Sequence, residues 1–459
     1  MREDNRQKNV PKKELNQYTF EELRDCADNE FKNLNAAKLS RTSPYEVGSL
    51  LERLSPEDRQ KVLKKLSEED ASDVLAEMNA EDSAEIISEM RDSRAIKILR
   101  ALEPDDAAGL LRELDDDDRE RLLSKMPKGD ADVLRDLLTY DPDTAGGVMT
   151  PCVISVCDDM TCDEAIQHLR KSRDSGENIE NIYVVDTKNH LVGVLSINKL
   201  LWTASNKKIS DIMCATIEGI CTAEQDKELA AKMMTQFHHN TLPVIDSQGC
   251  LIGVITHDDV IDIIQEEATE DIQKLHGAGG DETIHDGIIY STVRRTPWLI
   301  INLFIAFFTS RVISLFEAKI SEFTILAVFM NLVASLGGNS GAQTLAISIR
   351  SFALGEYHPG DSGGILLRET FKGMLNGLLI GTIAALITGL WARNGMVGLV
   401  VFISMIANMS LSGLVGAFIP IFLKRIKCDP AQSSYIFLTM VTDSVGMLIF
   451  LSIGSRLLL

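Results

Sequence analysis

Asp443 is the costliest residue in the C-terminal third of the chain. It lies in DPAQSSYIFLTMVTDSVG, Asp429 to Gly446, inside an otherwise apolar segment. A carboxylate deep in lipid costs roughly 3 kcal/mol on insertion scales, so Asp443 is expected to face protein or water. Thr439 and Thr442 join it at helical spacing as one polar patch. The plainer alternative is a carboxylate that caps or pairs within a helix bundle. A second interruption is LGGNSGAQT, Leu336 to Thr344. Its glycines permit close helix packing or local unwinding, and Asn339, Ser340, Gln343 and Thr344 offer oxygens to a pore or a neighbouring helix. The third stretch is DDVIDIIQEEATEDIQKL, Asp258 to Leu275, with apolar residues at Val260, Ile263, Ile264, Ile272 and Leu275 and seven acids between them. As a helix it spans less than about 30 Å, with its acids packed into four turns. A solvated face would explain them, but so much negative charge facing an acidic domain is repulsive unless a cation bridges the two.

The elements around these stretches fall into two unlike halves. Sixty acids and thirty-six bases precede Trp298, and seven acids and ten bases follow it, so the front part carries −24 and the rest +3 of the overall −21. An acidic soluble region argues against nucleic acid and suits cations, which relieve its self-repulsion. The opening MREDNRQKNVPKKE has charge but no apolar core. It is expected to be neither a secretory signal nor a first span, which places the soluble part in the cytoplasm. The eight cysteines form no C-x-x-C pair and are expected to be free, packed thiols in a reducing compartment.

Residues 1–50 read as a polar arm with a weak helical pattern at Tyr18 to Phe31. A twelve-residue repeat follows in the 51–145 region: LSPEDRQKVLKK from Leu54, LSEEDASDVLAE from Leu66, MNAEDSAEIISE from Met78, MRDSRAIKILRA from Met90, LEPDDAAGLLRE from Leu102 and LDDDDRERLLSK from Leu114. Each unit offers a helix N-cap and an acidic first turn, then an aliphatic pair such as Val62-Leu63, Val74-Leu75 or Leu110-Leu111. Helices this short are marginal alone, so neighbours must stack into a superhelix.

A larger repeat spans 146–264. NIYVVDTKNHLVGVLSINKLL from Asn181 matches TLPVIDSQGCLIGVITHDDVI from Thr241 at an offset of 60, and Val148-Met149 and Cys157 match Ile212-Met213 and Cys221 at an offset of 64. The first copy therefore holds four extra residues around Ser172 to Glu177. Each copy predicts a short strand, a helix, two apolar strands split by a polar turn, and a closing helix. This resembles a tandem pair of CBS domains. The resemblance implies a cleft for adenine nucleotides such as ATP, with an acid three residues after the Ser or Thr of each turn. Thr256 is followed by Asp259, whereas Ser196 is followed by Lys199, so one nucleotide site is open and two are not expected. Residues 265–293 read as the continuation of the acidic helix, broken by Gly277, Gly279 and Gly280.

The membrane part, 294–459, holds apolar runs at Trp298 to Leu315, Phe323 to Ile349, Gly373 to Trp391, Met396 to Leu423 and Ala431 to Leu459. Each is long enough to cross a hydrocarbon core of about 30 Å, which predicts five spans. With the N-terminus inside, Arg294, Arg295, Arg350, Arg368, Lys372, Lys424, Arg425 and Lys427 fall on the cytoplasmic side and only Lys319, Arg393 and Arg456 outside, as the positive-inside rule requires. Arg311 is expected near the outer end of the first span, snorkelling or paired with Glu317. The fold class expected is a multi-domain protein of the cell (inner) membrane: an all-α superhelical N-terminal domain, an α/β tandem CBS pair, and an α-helical transmembrane domain of five spans.

With these blocks in order, the chain from about Leu50 resembles the MgtE family of magnesium channels. The matching motifs are RRTPWLIINLF at Arg294, LFE at Leu315, GGNSGAQT at Gly337, RSFALGE at Arg350, LLRETFKGMLNG at Leu366, DPA at Asp429 and the Thr442-Asp443 pair. The resemblance implies a homodimer whose paired fifth helices hold hydrated Mg²⁺ between two copies of Asp443. Mg²⁺ sheds water reluctantly and favours few carboxylates with retained waters, so the chemistry is consistent. The resemblance also implies a cytosolic Mg²⁺ sensor at Asp226, Glu228, Asp258, Asp259, Asp262, Glu267, Glu270 and Asp271, without naming partners in the twelve-residue repeats. The chain departs from the family pattern at Tyr435-Ile436, where a Gly-Pro is usual, at Met440, where a second threonine is usual, and at His238-His239, where an aromatic-acid pair is expected. The leading expectation is a Mg²⁺-gated divalent channel serving magnesium homeostasis. The competing one is a coupled secondary transporter, with Asp443 carrying a proton or Na⁺ and the CBS pair sensing nucleotide. A membrane enzyme finds no support, because the chain has no Walker motif, nucleophile elbow or H-E-x-x-H.

Overall fold

The computed structural model describes residues 35–171, 181–277, 282, 287–353, 356–431 and 434–458. The polar arm before residue 35, the insertion around Ser172 to Glu177, and Gly279 and Gly280 lie outside the described residues. The chain divides into two units, Met1–Ile264 and Gln265–Leu459.

In the first unit, after a helical turn at Ala36–Leu39, eight short helices follow: α1 (Pro44–Leu51), α2 (Pro56–Leu63), α3 (Glu68–Ala76), α4 (Ala80–Ser88), α5 (Asp92–Leu99), α6 (Pro104–Glu113), α7 (Asp116–Lys125) and α8 (Lys128–Leu137), of which α2 to α7 are the six twelve-residue units, one helix each, and α1 and α8 flank them. Side-chain capping is confined to the early units. Ser55, Ser67 and Asn79 each accept a first-turn N–H, but Arg91, Glu103 and Asp115 make no such bond. Arg91 has no acceptor to offer. The aliphatic pairs Val62-Leu63, Val74-Leu75, Ile86-Ile87, Ile98-Leu99, Leu110-Leu111 and Leu122-Leu123 are all buried. Each helix packs on the next but one, α1 on α3 on α5 on α7 and α2 on α4 on α6 on α8, so two columns enclose a single core.

Each CBS copy is a three-stranded sheet. In the first, β1 (Ser155–Cys157) runs parallel to β2 (Asn181–Val185), which pairs antiparallel with β3 (Leu191–Ser196); α9 (Cys162–Lys171) and α10 (Ile197–Trp202) flank them. The second repeats this with β4 (Cys221–Thr222), α11 (Lys227–Phe237), β5 (Thr241–Ile245) and β6 (Leu251–Thr256). The copies join reciprocally. Leu191 N–H donates to the Gly249 carbonyl at 3.1 Å and Leu251 N–H to the Asn189 carbonyl at 3.0 Å. The segment before each copy also crosses to the other: Thr150 bridges Val254, and Cys214 bridges Val194. Met149 covers Gly253 and Met213 covers Gly193, where a Cβ would lie 2.6 Å and 2.8 Å from the respective sulfurs. The seven described cysteines are free, but Cys152, Cys214 and Cys428 are exposed rather than packed.

Helix α12 (His257–Leu275) leaves β6 directly and stops where Gly277 takes φ +76. The second unit then holds five helices long and apolar enough to cross a membrane, α13 (Ile288–Ser314), α15 (Ile325–Ala353), α16 (Ser362–Trp391), α17 (Gly395–Arg425) and α18 (Ser434–Leu457), with the short α14 (Glu317–Glu322) after the first. Helix α15 runs unbroken through LGGNSGAQT, so its glycines serve close packing rather than unwinding. Glycines also set the tightest helix pair. Gly373, Gly377 and Gly381 lay the backbone of α16 on α17, which answers with Gly398 and Gly413, the small-residue contact expected where lipid gives helices no hydrophobic drive to associate. Arg311, exposed in the last turn of α13, donates to Ser314 Oγ at 3.2 Å.

Candidate cation sites

In the first unit the superhelix and the second CBS copy bring acids together. At the start of α12, Asp259 Oδ2 accepts from the Thr256 N–H at 3.0 Å and from the Thr256 hydroxyl at 2.5 Å, which fixes the carboxylate at the helix N-terminus. The first turn of α6 supplies Asp105 and Asp106, preceded by Glu103. Asp105 is only 9 % exposed, and its Oδ1 has no hydrogen-bond partner among the described residues. Burial, then Asp259, push the Asp105 carboxyl up to about 8. Asp106, more open on its outer side, is held at about 7 by desolvation and Asp259, with Glu103, Asp258 and Asp262 adding to the repulsion. Burial also raises Asp259 itself. Carboxylates that repel one another, one with an unpaired buried oxygen, form a donor set suited to a hard dication.

The other acids expected at the sensor are engaged differently. Asp226 caps α11 by accepting the Glu228 N–H at 2.7 Å, and Glu228 pairs with Lys232 at 2.7 Å. Glu267, Glu270 and Asp271 lie further along α12, more than about 10 Å of helical rise beyond Asp259. The sequence reading missed Glu103, Asp105 and Asp106, because every repeat has an acidic first turn and nothing in its pattern separates the one that meets the CBS pair. At His238-His239, His238 takes the left-handed conformation that ends α11, and His239 Nε2 lies 2.7 Å from the Glu218 carbonyl.

Within the second unit, the end of α12 docks on the entrance to α18. Lys274 Nζ lies 2.5 Å from Glu270 and 3.2 Å from Asp429. Burial would lower the ammonium, but the two carboxylates outweigh it and raise Lys274 to about 12. Gly277 packs on Ile436 and Trp298, and the His276 ring lies tilted against the Tyr435 ring, their centroids 5.1 Å apart. The Tyr435-Ile436 pair thus fills the space against the turn after α12.

Along α18, Thr439 and Asp443 are half-buried. Thr442 is not beside them on that face. It is 0 % exposed, turned toward Gly338 of α15, with its hydroxyl donating to the Thr439 carbonyl at 3.3 Å. Ser444 meets Thr309 of α13 at 2.8 Å. Asn339 and Gln343 occupy the exposed side of α15, and Thr344, half-buried, donates to the Ser340 carbonyl at 3.3 Å.

The MgtE divalent cation transporter family matches residues 330–453, the MgtE intracellular N domain residues 42–143, and the CBS domain residues 145–204 and 209–266. The chain is 33 % identical over 336 residues to the magnesium transporter MgtE of Thermus thermophilus, covering 72 % of this chain and 74 % of that one. This chain belongs to the MgtE family of magnesium transporters. A second MgtE magnesium transporter, from Enterococcus faecalis, is 32 % identical over 326 residues, covering 71 % of this chain and 72 % of its own length. Among solved structures, the cytosolic domain of the Mg²⁺ channel MgtE in complex with ATP aligns at 30 % identity and a TM-score of 0.50, covering 53 % of this MgtE chain and all of that one.

Proposed function

We propose that this protein carries Mg²⁺ across the cell membrane through its five-span unit and that Mg²⁺ on the cytosolic side closes it. The observation that carries the transport reading is Asp443, a half-buried carboxylate one turn from Thr439 within an apolar helix. A single carboxylate per chain can hold a hydrated dication while leaving most of its waters in place. A second copy of the chain would supply the facing carboxylate. Helix α13 buries none of its residues and touches α18 along one side, where Thr309 meets Ser444, which leaves its other side for lipid or for that copy.

The sensing reading is supported by the acids around Asp105 and Asp259. Asp258, Asp259 and Asp262 stand on the first half of α12, and Glu270 and Asp271 on its second half. A cation that neutralises the first group would draw α6 onto α12 and act on the one helix that leads toward the membrane unit. Moving a two-state equilibrium from 1:99 to 99:1 takes about 5.5 kcal/mol, which several weak sites supply jointly. Asp259 with Thr256 is also the position at which a CBS nucleotide would be met. The acids around it repel free polyphosphate, so ATP at this corner would arrive with its own cation.

The test is flux into liposomes holding the full-length protein, comparing Mg²⁺ with Ca²⁺ and Na⁺. Selective Mg²⁺ flux is expected, strongly weakened by Asp443→Asn and abolished by Asp443→Ala with the fold intact. Wild-type flux from correctly inserted Asp443→Asn would overturn the assignment of the pore site. Flux that requires a proton or Na⁺ gradient would replace the channel with a coupled transporter.

A further inference from the structure

Helix α17 carries Ser404, Asn408 and Ser412, four residues apart and all 0 % exposed. A buried amide costs free energy unless its polar atoms find partners. Asn408 satisfies one end only. Its Nδ2 donates to the Val333 carbonyl of α15 at 2.9 Å, whereas Oδ1 has no partner among the described residues. Turning the amide over would set oxygen against oxygen at Val333, so the hydrogen-bond network assigns this orientation. A glycine stands on each side. A Cβ on Gly337 of α15 would collide with Nδ2, and a Cβ on Gly446 of α18 would lie 2.6 Å from Oδ1. Gly337 opens the stretch that carries Asn339 and Gln343, and Gly446 follows Asp443 by three residues. The amide is therefore wedged where α15, α17 and α18 meet, against the two segments that present the oxygens.

We propose that Asn408 is a positioning residue for cation selection: its amide sets the rotation and separation of α18 against α15, and hence the place of Asp443 relative to Asn339 and Gln343. This rests on the Mg²⁺ transport reading above. A leucine would fill a similar volume but could slide or change rotamer. One directed bond to Val333 and two bare glycines admit a single register, which is the use of polar groups in membrane interiors that best offsets their cost.

The experiment measures the Mg²⁺/Na⁺ flux ratio in liposomes and thermal stability in detergent for the full-length protein. Gly446→Ala forces a methyl against Oδ1 and is expected to lower the ratio roughly tenfold, on the scale of overpacking a close-packed interior. In an Asn408→Ala background the same methyl meets no amide, so Gly446→Ala should then cause little further loss. Asn408→Leu keeps the volume and is expected to retain thermal stability while lowering the ratio, which a merely structural residue would not do. Should Gly446→Ala fail to fold, Asn408→Leu alone decides. Losses that simply add, or an unchanged ratio in Asn408→Leu, overturn the inference. Absence of Mg²⁺ flux in the wild type would instead overturn the transport reading itself.

Discussion

Lys274 holds Asp429: its ammonium lies 3.2 Å from the carboxylate that begins the turn into α18, and 2.5 Å from Glu270 one turn back on its own helix. Asp429 in turn accepts the Ala431 N–H at 2.8 Å. The end of α12 is thus tied to the turn that starts the fifth span. The tie is partly solvated, so its worth is about 1 kcal/mol rather than the several expected of a dry ion pair.

Lys274→Gln removes the tie and leaves Glu270 and Asp429 to repel each other. The expected result is a higher internal Mg²⁺ concentration for half-closure, by about fivefold for a loss of ~1 kcal/mol. Flux titrated against internal Mg²⁺ in liposomes measures it, and an unshifted midpoint would show that this contact takes no part in closure. The same geometry bears on a charge-reversal variant. Glu270→Lys with Asp271→Lys would mimic bound cation by charge, but it also sets a new ammonium beside Lys274, so a locked state is expected only if Lys274→Gln is added.

The raised carboxyls of Asp105, at about 8, and Asp106, at about 7, make the acidic corner pH-dependent. An acid whose folded pKa lies above its unfolded value is neutral in both states well below pH 4. Between pH 4 and 8 the unfolded chain ionises first, so the folded arrangement loses stability as pH rises through this window. Without divalent cations, protease resistance of the soluble region should therefore fall between pH 5 and 8 in the full-length protein. Millimolar Mg²⁺ should flatten the slope, and so should Asp105→Asn with Asp106→Asn. Equal slopes with Mg²⁺ and with chelator would remove the physical basis of cation sensing here.

Arg112 on α6 reaches from the superhelix to the start of the CBS pair, donating to the carbonyls of Gly147 at 3.0 Å, Leu137 at 3.0 Å and Tyr140 at 3.5 Å. Arg112→Ala would leave these part-buried acceptors short of a donor, at a cost of about 1–3 kcal/mol. The expected outcome is a lower melting temperature of the soluble region, read by scanning fluorimetry, and faster proteolysis near residues 138–147. A melting temperature equal to wild type would mean that water replaces the guanidinium.

Gly253→Val should be more damaging than either. Its Cβ alone would lie 2.6 Å from the Met149 sulfur and 3.0 Å from the Thr150 carbonyl, on the strand that joins the two CBS copies. Overpacking of this kind costs roughly 1–3 kcal/mol, here with backbone on one side that cannot give way. Loss of the cooperative unfolding transition, or poor expression rescued by Met149→Ala, is the expected outcome. Wild-type stability would contradict the crossed packing of the segment before each copy.

Much of the architecture follows from patterns that depend only on local spacing. Twelve-residue periodicity, aliphatic pairs such as Val62-Leu63, the offset of 60 between CBS copies and five apolar runs are each carried by neighbours in the chain, so the sequence alone determined the helices, the duplicated sheets and the spans. It also marked Asp443, because a charge within an apolar run is costly wherever the run packs. The tertiary structure decided what depends on distant partners. Asp105 reads like every other first-turn acid until α6 brings it to Asp259. Thr442 and Asp443 each lie about one turn from Thr439, but as chain neighbours they point about 100° apart around the axis, and only the packing of α15 tells which of the two is buried. Asn408 lies among apolar residues with no motif to mark it, and its role emerges only where Gly337 and Gly446 meet its amide, because a polar group's cost or use is set by which atoms surround it.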